Sequence, residues 1–146
     1  MNALAAAALA ASELICEFSD GYRKSLLAEI AGDAPRTELV LLFEALSREE
    51  AQVVSTVRPG RRTVQVRATQ DLLHLIERDG ASVRVTTLTG CTRTRWRGGE
   101  QVCTRFDARH AWHFDTAAHL EPDASFRRQP SGAALGSCEP WRVDPS

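Results

Sequence analysis

Arginine side chains cluster at two places in this sequence, and both clusters have the chemistry to bind an anion. One cluster flanks a Pro-Gly turn, and the other alternates with threonine and tryptophan in the segment TRTRWRG. The members are Arg58, Arg61 and Arg62 in the first cluster, and Arg93, Arg95, Trp96 and Arg97 in the second. A guanidinium presents its donors as a planar fork that matches a carboxylate or a phosphate, and an interleaved tryptophan can stack or pack against a ligand. The alternative is an arginine face that only meets solvent.

Histidines form the second candidate site. His110 and His113 have the spacing H-x-x-H, and Asp115 and His119 follow closely. This spacing puts two imidazoles on one face of a helix but on opposite faces of a strand. Since the segment 109–114 is rich in aromatic residues and is interpreted as a strand, the sequence favours surface histidines. A small envelope enzyme or a metal-binding protein that uses His110, His113 and His119 is the alternative hypothesis.

The chain has no motif for nucleophilic or nucleotide-dependent catalysis. A G-x-S-x-G elbow, a Walker loop and a G-x-G-x-x-G fingerprint are all missing from the sequence. The neighbouring carboxylates Glu49 and Glu50 have no histidine close to them in sequence. Catalysis is therefore the weaker hypothesis, binding is the stronger one, and we expect no cofactor.

The cysteines Cys16, Cys91, Cys103 and Cys138 indicate a disulfide framework. None of their spacings is C-x-x-C, so neither a zinc ribbon nor a thioredoxin-like motif is indicated. An even count of cysteines in an exported chain is typical of disulfides. We predict a Cys91–Cys103 bridge, because an Arg-Gly-Gly-Glu turn lies between these residues. We also predict a Cys16–Cys138 bridge, which would tie the two ends of the mature domain together.

The first residues predict export. Residues 3–11 are an unbroken Ala/Leu run, which is too short to span a bilayer and resembles the apolar region of a secretory signal peptide. The basic residues that usually precede such a region are missing. We interpret residues 1–12 as a signal-peptide remnant that is cleaved after Ser12 and adds no core packing, which places the protein in the periplasm or outside the cell. The alternative is an Ala-rich helix that stays attached.

Length and composition indicate one folded domain over residues 13–146. The chain has 146 residues, of which 43% are hydrophobic, and a formal net charge of −1. The apolar fraction is enough for a core, and the charge argues against nucleic-acid binding, which usually needs a clearly basic domain. No segment is predicted to span a membrane. Candidate partners are an acidic protein surface and an anionic polymer of the cell envelope.

The elements that position these side chains are short strands. In the central stretch 61–88, valine and threonine alternate with polar residues, which is typical of half-buried strands, and Asp79-Gly80 predicts a tight turn. Further strands are predicted over 14–18, 22–30, 38–44, 51–57 and 109–114. Together they predict an all-β fold, in which an antiparallel meander forms a small, disulfide-linked barrel or sandwich.

The same alternation predicts which side chains form the core. We expect most of the following residues to be buried: Leu39, Leu41, Phe43, Val64, Val66, Leu73, Leu75, Val83 and Val85. From about residue 116 the periodicity is weak and proline and glycine are frequent. We therefore interpret residues 116–137 as a long irregular segment that Cys138 holds at its end.

Short motifs distributed over most of the chain resemble those of small exported bacterial proteins of uncharacterised function. The motifs are Cys16-Glu17-Phe18, Gly21, Leu41-x-Phe43, Leu73-His74-Leu75-Ile76-Glu77, Thr86-Thr87 and Cys138. The resemblance implies a β fold and export, and it implies no activity. The segment from Cys91 to Cys103 is an addition to that pattern.

Overall fold

The structure is a computed structural model, and it describes residues 2–19, 38–56, 59–80, 82–114 and 132–141. Some residues named from the sequence therefore lie outside the described residues. They are Gly21, the predicted strand 22–30, the last residue of the predicted strand 51–57, Arg58, Asp115, His119 and residues 116–131 of the predicted irregular segment.

Within the described residues, one short helix precedes eight strands that form a closed barrel. Each strand pairs antiparallel with the next strand along the chain, and β8 pairs back with β1. The predicted all-β meander is confirmed, and the barrel is the form it takes. The elements are α1 (Ala3–Ala10), β1 (Leu14–Ser19), β2 (Glu38–Glu44), β3 (Glu50–Ser55), β4 (Arg62–Ala68), β5 (Leu73–Asp79), β6 (Ser82–Arg97), β7 (Glu100–Phe114) and β8 (Gly132–Pro140).

A pair of cysteines links the first and last strands, where the barrel closes. Cys16 on β1 lies directly opposite Cys138 on β8, and both side chains point into the barrel, where they are fully buried. Their Cα atoms are 4.0 Å apart and their sulfurs are bonded. Cys91 and Cys103 form the second disulfide, with Cα atoms 6.0 Å apart. Both predicted pairings are confirmed.

Alternation along the strands fills the interior, as predicted for most positions. Leu41, Phe43, Val64, Val66, Leu73 and Leu75 are all buried. Leu39 is only partly buried and packs against the core.

The prediction for β6 is wrong. Val83 and Val85 are only partly buried, whereas Thr86 and Leu88 are buried. The pairing of Leu88 with the buried Leu73 sets this register, which turns the valines outward. Both faces of this strand carry apolar residues and threonine, so alternation alone did not distinguish them.

The prediction of an irregular segment is wrong for residues 132–137, since they belong to strand β8. β8 has the sequence GAALGSCEP, without β-branched or aromatic residues. Its inward positions are Gly132, Ala134, Gly136 and Cys138, and they face the large side chains Phe18 and Trp112. Small residues on one wall therefore leave room for large ones on the walls beside it.

Helix α1 packs against one end of the barrel, so the prediction that this run adds no core packing is wrong. Ala5 and Ala8 are fully buried in the core cluster. The Oδ1 atom of Asn2 accepts a hydrogen bond from the Ala5 amide at 2.6 Å, and Nδ2 donates to the carbonyls of Thr69 and Leu72 at 2.5 and 3.1 Å. Cleavage after Ser12 remains a prediction. No helix in the described part of the chain is long and apolar enough to cross a bilayer.

We predict that Gly136→Ala destabilises the barrel. A Cβ at this position would meet the carbonyl oxygen of Glu17 and lie 2.8 Å from Cδ1 of Phe18. Overpacking of this kind costs about 1–3 kcal/mol, which urea unfolding of the oxidised protein measures. Gly90→Ala is the control, because a Cβ there meets no atom within 4 Å. Equal unfolding midpoints for the two variants would contradict the prediction.

We predict that Asn2→Ala lowers the free energy of unfolding by about 1 kcal/mol, the typical cost of losing an N-cap side chain. Asn2→Asp separates the two roles of this residue, because it keeps the acceptor for the Ala5 amide and loses the donor to Thr69 and Leu72. We expect the aspartate variant to lie between wild type and the alanine variant. Wild-type stability for the alanine variant would show that the hydrogen bonds of Asn2 contribute nothing to the fold.

Candidate functional site

The two longest strands extend beyond the barrel as a two-stranded arm. β6 and β7 have 16 and 15 residues, whereas the other strands have 6 to 9. β5 pairs with β6 only as far as Leu88, and β8 pairs with β7 only as far as Phe106. We define the arm as residues 89–105, which extends about 25–30 Å at 3.3 Å per residue. Gly98 and Gly99 turn the chain at its tip, and their positive φ angles of 57° and 82° favour glycine.

Three irregularities in the arm share one chemistry. At each register shift between β6 and β7, the residue left out of the pairing is a threonine. Its hydroxyl donates to a carbonyl on the opposite strand and so satisfies a backbone acceptor where the regular pairing is interrupted. The pairs are Thr89 with Asp107 at 3.4 Å, Thr92 with Arg105 at 3.3 Å, and Thr104 with Arg93 at 3.3 Å.

The second disulfide crosses this irregular region. Cys91 lies opposite Phe106 and Cys103 lies opposite Thr94, so the bridge runs diagonally across the two strands. Cys91 is exposed and Cys103 is buried. The bridge therefore holds β6 against β7 across the level of Arg93, which lies between Cys91 and the position opposite Cys103.

Arg93, Arg95 and Arg97 line one cavity of about 620 Å³, as their alternate spacing on a strand predicts. We call this cavity the arginine groove. Its other lining residues come from α1 and the residues after it, from β7 and from the end of β8. They are Ala7, Ala10, Ala11, Ser12, Glu13, Val102, Cys103, Thr104, Glu139, Pro140 and Trp141.

The groove opens where β7 and β8 separate. β8 pairs with β7 up to Cys138 and Phe106, and its last residues continue along β1 instead. Pro140 lies opposite Leu14, and the amide of Trp141 donates to the carbonyl of Glu13 at 3.0 Å. Because proline has no N–H, it is a natural residue at which strand pairing ends.

The two arginine clusters differ in how their charge is balanced. Arg61 donates to the carboxylate of Glu44, with Nε 3.0 Å from Oε1, and this pairing raises the pKa of Arg61. Arg62 forms an ion pair with the buried Glu77. By contrast, neither Arg93 nor Arg95 has an ion-pair partner among the described residues. Among the described members of the two clusters, the arginine side chains without an ion-pair partner are therefore on the arm.

Trp96 does not join the arginine groove. Its side chain is 69% exposed, and it lies on the opposite face of the arm from Arg95 and Arg97, as alternation along a strand requires. The tryptophan that lines the groove is Trp141, which is 39% exposed. Trp141 is not among the site residues that the sequence predicted.

The structure separates the histidines. His110 points into the barrel, where it is buried, and its Nδ1 lies 3.0 Å from the hydroxyl of Thr86. Its ring lies 5.4 Å from Phe18 and 6.0 Å from Trp112, measured between centroids. His113 is exposed. Across residues 2–19, 38–56, 59–80, 82–114 and 132–141, no three metal-type side chains come together.

The pKa of His110 is lowered to about 4, mainly by burial and next by the positive charge of Arg84, while Glu77 acts in the opposite direction. His110 is therefore neutral at physiological pH. It then serves as an interior hydrogen-bonding residue rather than as a charged ligand.

Comparison with protein-family models, with curated proteins and with solved structures finds no match for this chain. The site is therefore interpreted from its own geometry and charge.

We predict that His110 makes stability depend on pH in a defined window. An unfolded histidine binds a proton near pH 6.5, while the folded one does so only near 4. The unfolded state therefore binds one proton more than the folded state between these pH values. The free energy of unfolding is unaffected by His110 above pH 6.5 and decreases as the pH falls towards 4, with a limiting slope of about 1.4 kcal/mol per pH unit.

Urea unfolding at several pH values between 4 and 6.5 measures this slope. His110→Gln should flatten it, and His113→Gln, which changes an exposed histidine, should keep the wild-type slope. An unchanged slope in the His110 variant would contradict the prediction.

Proposed function

We propose that this protein is an exported, non-enzymatic binding module whose arm binds an anionic ligand in the arginine groove. The observation that carries the proposal is the convergence of Arg93, Arg95 and Arg97 on one cavity, with Arg93 and Arg95 unpaired within the described residues. A guanidinium without an internal partner keeps its donors available for a carboxylate or a phosphate.

Preorganisation of the arm supports the same proposal. The Cys91–Cys103 bridge and the threonine hydrogen bonds hold the two strands together over the region that carries Arg93. Binding to a rigid arm costs less conformational entropy than binding to a flexible loop, because the loop has to become ordered. The arginine side chains themselves are exposed, so their attraction for a ligand is screened by salt.

Export is supported by the two disulfides, which are typical of oxidising compartments. The charged residues of the groove, from Glu13 to Glu139, all follow Ser12 in the sequence. The proposal therefore holds whether residues 1–12 are cleaved or retained.

The enzymatic or metal-binding alternative has less support. His110 is buried inside the barrel and bonded to Thr86, whereas His113 is exposed, so these two side chains do not share a site.

The proposal predicts that changing Arg93, Arg95 and Arg97 together to alanine abolishes capture of ligands from cell-envelope extract. One hydrogen bond to a charged group contributes about 1.5–3 kcal/mol, so recovery should fall at least about tenfold at low salt. High salt should reduce capture by the wild-type protein as well, because it screens exposed charges. Mass spectrometry of the captured material measures the recovery.

A matched control removes the same charge elsewhere. Arg67, Arg78 and Arg109 are exposed and do not line the arginine groove, so their joint change to alanine should leave capture unchanged. Equal recovery by the wild type and by the groove variant would show that the arm is only solvated surface.

A further inference from the structure

From the lining of the groove we infer that its ligand is a single-chain anionic amphiphile. Its acidic head group would bind Arg93 and Arg95, and its hydrocarbon chain would lie along the apolar wall of the same groove. This inference rests on the proposed function and names the chemical class of the ligand.

One wall of the groove is apolar. Ala7, Ala10 and Ala11 come from the helix and its C-terminal end, Val102 from the arm, and Pro140 and Trp141 from the end of β8. Apart from the indole N–H of Trp141, these side chains offer no hydrogen-bonding group, and the helix interior uses its own backbone groups. A hydrocarbon chain gains free energy on such a surface, whereas a hydroxyl group placed there would lose its hydrogen bonds to water.

The polar side chains distinguish an amphiphile from a sugar. The hydroxyl of Thr104 already donates to the carbonyl of Arg93. A saccharide needs hydrogen-bonding partners along its whole length. Ser12 and the charged residues supply some of them, but the alanine, valine and proline side chains supply none. The arginine residues instead suit one compact anionic group, which a guanidinium binds through two parallel hydrogen bonds.

Two carboxylates of the groove argue against a polyanion. Glu13 and Glu139 line the same cavity as the arginine residues. A ligand with negative charges along its whole length would place some of them near these carboxylates, and like charges repel. A ligand with its charge at one end avoids this repulsion.

The size of the cavity points to a small molecule. A volume of about 620 Å³ lies within the range of 300–1,000 Å³ that is typical of small-molecule sites. An acidic protein surface would instead be expected to meet a flat basic face. The cavity therefore suits one amphiphile molecule rather than a bilayer or a protein.

The apolar character of the wall does not depend only on α1. The helix joins a core cluster that includes Leu14, Leu88 and Phe106, and it packs beside β6 and β7. The surface beneath α1 is therefore apolar as well. Val102, Pro140 and Trp141 also belong to the apolar wall, and all three follow residue 12 in the sequence.

Isothermal titration calorimetry of the full, oxidised chain tests the inference. The probes are octanoate, decanoate and dodecanoate as monomers, with acetate and inorganic phosphate as anions without a chain, and dodecyl maltoside as a chain without charge. Each added methylene should strengthen binding two- to fourfold, since a buried methylene contributes up to about 0.8 kcal/mol. Acetate, phosphate and the maltoside should bind at least tenfold more weakly than dodecanoate.

Two pairs of variants assign the two parts of the ligand. Arg93→Gln with Arg95→Gln should weaken dodecanoate binding at least tenfold, and Arg67→Gln with Arg78→Gln, which removes the same charge outside the groove, should not change it. Val102→Ser should reduce the gain per methylene while leaving the dependence on Arg93 and Arg95. Thermal unfolding of each variant verifies that it is folded.

The outcomes separate this inference from the proposed function. If affinity does not depend on chain length, or if phosphate binds as tightly as dodecanoate, the amphiphile is wrong. Arginine-dependent capture from extract would then still support the proposed function. If neither chain length nor the arginine residues affect binding, both the inference and the proposed function are wrong. Binding to phosphatidylglycerol vesicles without binding to monomeric dodecanoate would assign the groove to a membrane surface and would also overturn the inference.

Discussion

Pairing of the first strand with the last is the interaction on which this structure depends. An open eight-stranded meander would leave β1 and β8 as edges with unpaired backbone groups. Six residue pairs join these strands, from Leu14 with Pro140 to Ser19 with Leu135. The Cys16–Cys138 bridge lies within this pairing and links residues that are 122 positions apart. The chain-entropy model gives a loop of that length a stabilisation of about 5 kcal/mol.

Closure also determines which residues the interior accepts. An eight-stranded barrel is just wide enough for side chains to fill it. Phe18 and Trp112 take much of the space, and β8 supplies only glycine, alanine and cysteine towards them. One end of the interior is apolar and covered by α1, while the buried Glu77, His110 and Thr86 make the remainder partly polar. Each of these polar groups has an internal partner. Glu77 pairs with Arg62, and His110 and Thr86 are hydrogen-bonded to each other.

Local sequence signals predicted the strands and turns that have strong propensities. The Asp79-Gly80 and Gly98-Gly99 turns, the long apolar strand β2 and both disulfides follow from residue type and spacing. Features that depend on distant contacts were not predictable in this way. The register of β6 is set by the pairing of Leu88 with Leu73, and β8 lacks β-branched residues because its neighbours fill the barrel.

The candidate site shows the same division. Alternation placed Arg93, Arg95 and Arg97 on one face, because that is a property of a single strand. It also put Trp96 on the other face, although the sequence brings it close to the arginine residues. Glu13 and Trp141 join the groove only because barrel closure brings the two ends of the chain together through a backbone hydrogen bond. No local pattern carries that information.

The tip of the arm lies outside the strand pairing that closes the barrel. The residues of the arm lie beyond Leu88 and Phe106, where the outer strands stop pairing, and the arm has its own disulfide and its own glycine turn. Changes of sequence or length at its tip leave every barrel pair in place. The barrel can therefore keep its strand pairing while the tip of the arm varies, and under the proposed function recognition would diversify at that tip. Under the proposed function, a hairpin tip with another charge pattern would give the same barrel another specificity.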